Sequence, residues 1–183
     1  KRLVEISDVL VQNFSPRVMP NLGLDYETLR SLRPDLISVS MPALGVTGPW
    51  ADYVSFGPGA EALGGLSDVT GYEDGPPHKP DNFYADQNSA FHTALAVMAA
   101  AYQRRRTGLG QQLSVVQRET TMAVIGEAFL EAQMDSQIPL RRGNRHMFWA
   151  PHNVYRCRGD DEWCAIACTN DEQFHRLCAT MNQ

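Results

Sequence analysis

No stretch of the chain approaches the roughly 18 consecutive apolar residues that a membrane-spanning helix needs. With 183 residues, 43% of them hydrophobic and 20% charged, the composition is that of a soluble globular protein. The net charge of −5 leaves no overall basic field to hold nucleic acid or an anionic membrane, so an anionic ligand has to meet a local cluster. No G-x-G-x-x-G lies between a strand and a helix, and no P-loop occurs, which excludes nucleotide-phosphate binding of those two kinds. Cys-x-x-Cys pairs are missing as well. Cys157, Cys164, Cys168 and Cys178 crowd the last quarter around His175, but Cys164 and Cys168 lie in an apolar, strand-like run. Buried or reduced thiols, no metal site and a cytoplasmic protein are therefore expected. The opening Lys1-Arg2-Leu3-Val4-Glu5-Ile6 has no signal-peptide core and reads as the tail of a helix already under way. Leu177 to Gln183 stops without a clear cap, so both ends are expected to be cuts in something longer.

What is present alternates. Asp8-Val-Leu-Val-Gln-Asn13-Phe14 reads as a short buried strand whose exit carries a polar residue and an aromatic. Asp25 opens a helix with Tyr26, Leu29 and Leu32 on one face, which Arg33-Pro34 ends, and Leu36 to Met41 is a second strand. Strand, helix, strand argues for parallel pairing, with ligands gathering at the carboxyl ends of the strands. Such placement puts Asn13 and Phe14 at a site edge; a core position for Phe14 and a turn cap for Asn13 are the plainer reading. From Pro42 to Pro80 the chain is dense in Gly and Pro, with a short helix from Gly57-Pro58-Gly59 that Gly64-Gly65 interrupts. A long helix follows, with Phe91, Ala94, Leu95, Met98 and Tyr102 on one face, Arg104, Arg105 and Arg106 in its last turn, and Gly108 beyond. Gln112 to Val116 is strand-like. Met122, Ile125, Phe129 and Ala132 mark a second long helix, expected as a linker over 118–142. Val154 to Cys157 and Trp163 to Ala167 form a hairpin around Arg158-Gly-Asp-Asp161, and Thr169-Asn-Asp opens a last helix.

Asp86 sits where the Gly-rich segment gives way to the long helix. An aspartate there caps the helix by accepting unsatisfied backbone N–H groups, or it serves as a carboxylate nucleophile favoured by the positive helix end. Position alone favours the cap.

Taken together, Asp8-Val-Leu-Val-Gln-Asn13-Phe14-Ser-Pro16, Leu22-Gly23-Leu24-Asp25-Tyr26, Arg33-Pro34-Asp35-Leu36-Ile37, Gly45-Val-Thr-Gly48-Pro49 and Arg105-Arg106-Thr107-Gly108-Leu-Gly110-Gln111 resemble the class III CoA-transferases, the CaiB/BaiF family. No single piece is specific; their order and spacing are. The resemblance implies an α/β fold: residues 1–117 as part of a Rossmann-like large CoA-binding and catalytic domain, 118–142 as a linker helix, and 143–183 as the start of a smaller α+β domain. It implies Asp86 as the nucleophile, passing through an aspartyl anhydride and an aspartyl-CoA thioester, with Gln87 and Asn88 as sources of oxyanion-stabilising N–H groups. Asn13 and Phe14 match the family's Asn-Phe pair at the CoA site. The phosphate-binding arginine of one branch falls near Asn21 and Leu22 here, with Arg17 as its substitute. Acyl-CoA and a carboxylic acid are then the substrates, no cofactor is bound permanently, neither nucleic acid nor membrane is a partner, and the complete protein is an interlocked homodimer.

Two departures bear on substrate. Ser55-Phe56-Gly57 stands where the racemase branch has Gly-His-Asp, which disfavours racemisation, and His146-Met-Phe-Trp149-Ala-Pro151 replaces a run of glycines that covers the nucleophile in the formyl-CoA branch. Packing within the small domain is the plainer role for Phe148 and Trp149. Three readings stay open: a CoA-transferase catalytic segment, active or inactive by itself, an acyl-CoA racemase or epimerase, and a non-catalytic CoA-binding module.

Overall fold

The computed structural model describes residues 1–80, 82–135 and 141–181. In chain order the elements are α1 (Arg2–Glu5), β1 (Val9–Gln12), α2 (Val18–Asn21), α3 (Tyr26–Leu32), β2 (Ile37–Ser40), α4 (Gly57–Leu63), α5 (Leu66–Val69), α6 (Tyr84–Thr107), β3 (Gln111–Ser114), α7 (Gln117–Val124), α8 (Gly126–Asp135), β4 (His152–Arg156), β5 (Trp163–Ala167) and α9 (Asp171–Thr180). The described residues form two compact units, one within 1–67 and 79–138, the other within 68–78 and 139–183. No described helix is long and apolar enough to cross a membrane.

The first unit is built on a parallel sheet in the order β1-β2-β3, with Val9 opposite Ile37 and Ile37 opposite Gln111. Every residue of the central β2 is buried, as a strand covered on both faces requires. Its alternation divides the core. Ile37, Val39 and Met41 pack with Ala100 of α6, joined by Val97, Ala101, Leu113 and Val115. Leu36 points the other way, into a cluster with Val4 and Leu29 of α1 and α3. Asp25 caps α3, its Oδ1 accepting from the Thr28 N–H at 3.0 Å and its Oδ2 from the Thr28 hydroxyl at 2.8 Å.

The packing sets which face of α6 is buried, and it corrects the expectation of one helix over 118–142. Phe91, Leu95, Met98 and Tyr102 do share one face of α6, but that face points outward: each is more than 60% exposed. The buried face instead carries Ala85, Ser89, Thr93 and Ala100, small residues that let the helix lie close to the sheet and to α7. The helix expected over 118–142 is two helices, α7 and α8, separated at Ile125, whose N–H turns back to the Met122 carbonyl at 3.2 Å. Ile125 is buried there, so the break leaves a core side chain in place. Residues 136–140 of that expected linker lie outside the described residues.

Arg104 does more than complement the end of α6. It meets Asp8 at 3.3 Å and Asp35 at 3.8 Å, sharing both carboxylates with Arg33, and so ties the helix end to the edge where β1 and β2 begin. Gly108 ends α6 with φ of 73°, a left-handed conformation that glycine adopts without steric cost.

In the second unit, β4 and β5 form the antiparallel hairpin, with Tyr155 opposite Cys164. Segment 68–78 is held against the chain after 140: Arg141 bonds the Asp68 carboxylate at 3.2 Å and the Gly75 carbonyl at 3.1 Å, and Arg145 bonds Glu73 at 2.7 Å. The His146 ring stacks on Trp149 at 3.9 Å within the same unit.

Candidate active site

The carboxyl ends of the three parallel strands meet α4 and the start of α6 around a cavity of about 620 Å³. Asn13, Phe14, Ser15 and Pro16 leave β1 along one wall; Pro42 to Gly45 leave β2; Gln117 begins α7 after β3; Gly57 and Asp86 begin α4 and α6. Among these lining residues the one charged side chain is Asp86, and Phe14, Leu44, Val54, Phe56 and Phe83 supply apolar surface.

Asp86 lies in the first turn of α6, half-buried. Its Oδ1 accepts a hydrogen bond from the Gln117 side-chain amide at 3.1 Å. Its Oδ2 lies so close over the Cα of Gly57 that an added Cβ would overlap it. The carboxylate is thus fixed on one side by an amide donor and seated on the other against bare backbone. Gln117 is itself 5% exposed, its backbone N–H donating to the Pro42 carbonyl at 3.1 Å and its carbonyl accepting from the Thr120 and Thr121 hydroxyls at 2.9 Å. Asn88, half a turn past Asp86, donates to the Thr120 carbonyl at 2.7 Å and clamps α6 to α7. Asp86 does not cap the helix. The Ala85 N–H is met instead by Oε1 of Glu61, at 3.2 Å, from α4.

The structure brings Asp86, Asn13 and Phe14 around one cavity. Phe14 is 50% exposed, so it is wall surface and not core. The Gln12 side chain holds this exit, donating to the Ser40 hydroxyl at 2.7 Å and accepting the Phe14 N–H at 2.7 Å. Arg17, Asn21 and Leu22 are exposed on and beside α2 and are not among the residues lining the cavity. The Gln87 backbone N–H donates to the Phe83 carbonyl at 3.2 Å and the Asn88 side-chain amide donates to the Thr120 carbonyl at 2.7 Å, while Gln87 is among the residues lining the cavity. Gln117 and Glu61 escape a reading by motif, and Gly57 reads in sequence as a helix start and not as the seat of Asp86. The signal for Gln117 was a polar residue at a strand exit, directly after the apolar Val115 and Val116.

Among the described residues, no group of three or more His, Cys, Asp or Glu side chains could hold a metal ion. Cys157 and Cys164 are neighbours on the hairpin. The hydrogen bond between their thiols, with smaller contributions from burial and charge, pushes Cys157 above the usual thiol range.

An α/β domain with a carboxylate at a helix start, facing a largely apolar cavity at the carboxyl edge of a parallel sheet, is suited to bind and chemically activate a small organic substrate. The family model of CoA-transferase family III matches residues 1–183, and the chain belongs to that family. It is 35% identical over 183 residues to succinyl-CoA–D-citramalate CoA-transferase of Chloroflexus aurantiacus, covering 100% of this chain and 45% of that protein. Acetyl-CoA:oxalate CoA-transferase of Acetobacter aceti is 34% identical over 177 residues, covering 96% of this chain and 45% of the relative. The crystal structure of a CaiB/BaiF family protein from Brucella suis superposes with a TM-score of 0.90 at 31% identity, over 99% of this chain and 47% of that one. The fold is therefore part of the CaiB/BaiF fold, and the chain spans about half the length of the curated relatives it matches.

Proposed function

We propose that the chain carries the nucleophile of an enzyme that moves coenzyme A from an acyl-CoA thioester to a free carboxylic acid. The observation that carries this reading is the seating of Asp86: Oδ1 held by Gln117, Oδ2 over Gly57, both within the cavity lined by Asn13 and Phe14.

Oδ2 attacks the thioester carbonyl carbon; the C–S bond breaks and CoA leaves as thiolate, giving an anhydride between the acyl group and Asp86. The thiolate then attacks the Asp86 carbonyl carbon and its C–O bond breaks, releasing the donor acid as carboxylate and leaving an Asp86–CoA thioester. The acceptor carboxylate reverses both steps: it displaces CoA thiolate to form a new anhydride, and the thiolate takes the new acyl group and frees Asp86. No net proton is consumed. An anhydride keeps the acyl energy that hydrolysis would discard, which is why a carboxylate suits the task. When the Asp86 carbonyl is attacked, negative charge develops on Oδ1, where the Gln117 amide already donates.

Asn13 and Phe14 are proposed to hold the thioester arm of CoA, with Arg17, Asn21 and Leu22 along its nucleotide end. On this reading the protein acts on thioesters in the cytoplasm and as a homodimer. Racemisation has less support, because among the described residues the titratable side chains lining the cavity are Asp86 and Tyr53, and Phe56 offers no base.

The test is intact mass and peptide mapping after incubation with a panel of acyl-CoA thioesters and trapping with hydroxylamine or borohydride. It is run in this chain and in any longer chain that contains it. An adduct on Asp86, lost in Asp86→Ala with the fold retained, is expected. Transfer that survives Asp86→Ala refutes the assignment, and α-proton exchange into deuterated solvent without transfer would replace it by an epimerase.

A further inference from the structure

A buried acid stands behind the nucleophile. Glu61 is 0% exposed, its Oε2 has no hydrogen-bond partner among the described residues, and Oε1 accepts the Ala85 N–H at 3.2 Å. Burying a carboxyl with one oxygen unsatisfied is costly, and a group kept in that state calls for a reason. The reason lies in what it holds. The first N–H groups of a helix have no partner within it, and the residue preceding α6, Phe83, offers no capping side chain. Glu61 supplies the missing acceptor from another helix. It stands one turn after Gly57 on α4, so the same face of α4 that seats the Asp86 carboxylate also ties down the residue immediately before it.

We propose that Glu61 is a positioning residue for the reaction at Asp86: by accepting the Ala85 N–H it fixes the first turn of α6, and with it the direction of the Asp86 carboxylate toward Gln117 and the cavity. The inference rests on Asp86 being the nucleophile. It assigns Glu61 no contact with substrate. One oxygen is enough for the role, so glutamine can replace the acid, whereas an isosteric apolar side chain cannot. Freed of its acceptor, the Ala85 N–H is left buried and unpaired, Ala85 being 0% exposed, and the turn has to shift to reach another partner. A shift of about 1 Å in a reacting group costs about 10²-fold in rate.

The experiment compares Glu61→Gln and Glu61→Leu, in whichever chain, this one or a longer one containing it, shows wild-type transfer. The readouts are kcat, KM for the acyl-CoA, thermal midpoint, and hydrogen exchange of the peptide spanning 84–88. Adduct mapping on the wild type comes first: an adduct away from Asp86 overturns the nucleophile assignment, and the proposal falls with it. With the adduct on Asp86, Glu61→Leu is expected to lower kcat about 10²-fold with KM within a factor of about three, and to speed exchange at 84–88. Glu61→Gln is expected to keep kcat within about threefold and the wild-type exchange rate. A purely structural role would lower the thermal midpoint and leave the kcat of the folded fraction unchanged. That outcome overturns the proposal, as does a Glu61→Gln variant as slow as Glu61→Leu. If Glu61→Leu does not fold, Glu61→Gln and Glu61→Ala, judged by the same split between kcat and KM, decide it in the same way.

Discussion

Replacing Gly57 by alanine separates reactivity from stability at this site. A Cβ built on Gly57 overlaps Oδ2 of Asp86 and comes within 3.0 Å of its Cγ, while the next neighbour, the Cβ of Phe83, stays at an ordinary 3.5 Å. The obstructing atoms are the free end of a short side chain, so the carboxylate turns aside and the backbone stays. Gly57 is the first residue of α4 and does not have a positive φ, so alanine there carries no conformational penalty. Loss of chain entropy in the unfolded state favours the variant by about 0.4–1 kcal/mol, before the cost of moving Asp86. A carboxylate displaced by about 1 Å loses its alignment with Gln117 and with the incoming thioester, and a factor of about 10² in kcat/KM is expected. Transfer of CoA between an acyl-CoA and a free acid, followed chromatographically, and a thermal melt measure the two quantities. Full turnover in a folded Gly57→Ala protein would refute the seating of Asp86 as the reactive geometry, and global unfolding would refute the argument that only a side-chain tip has to move.

Gln117→Leu removes the donor to Oδ1 without changing the volume much; a hydrogen bond to a charged group contributes about 1.5–3 kcal/mol, so kcat is expected to fall roughly 10- to 100-fold in steady-state assays. The backbone and side-chain bonds from Thr28 hold the Asp25 carboxyl below the usual aspartate range. Its contribution to stability is fully present above the unfolded aspartate value of about 3.9 and is lost as pH falls through the lower folded value. Asp25→Asn, which keeps a capping oxygen but takes up no proton, should flatten the thermal midpoint against pH in that acid range. Leu29→Ala, at a site 1% exposed, should lower stability by about 2–5 kcal/mol in urea unfolding. Leu95→Glu on the outward face of α6 should change it by no more than about 0.5 kcal/mol in the isolated chain.

The strands, the capped α3, the hairpin and the long α6 were all legible in the sequence because each rests on local physics: apolar runs of strand length, Asp25 and Asn170 as N-caps, Gly108 as the stop. Membership of a CoA-transferase family was legible too, through motif order. What local pattern could not decide was which side of α6 faces the core. Its period places Phe91, Leu95, Met98 and Tyr102 together, but a helix packed closely on a sheet and on α7 selects its small residues for burial, and that choice is made by neighbours distant in the sequence. The surroundings of Asp86 were undecided for the same reason. Gly57, Glu61 and Gln117 lie 25 to 31 residues away along the chain, and nothing in their spacing marks them as partners. Only the packing of α4 and α7 against the start of α6 turned a glycine into a seat, a glutamate into a cap supplied from another helix, and a glutamine into the donor that orients the carboxylate.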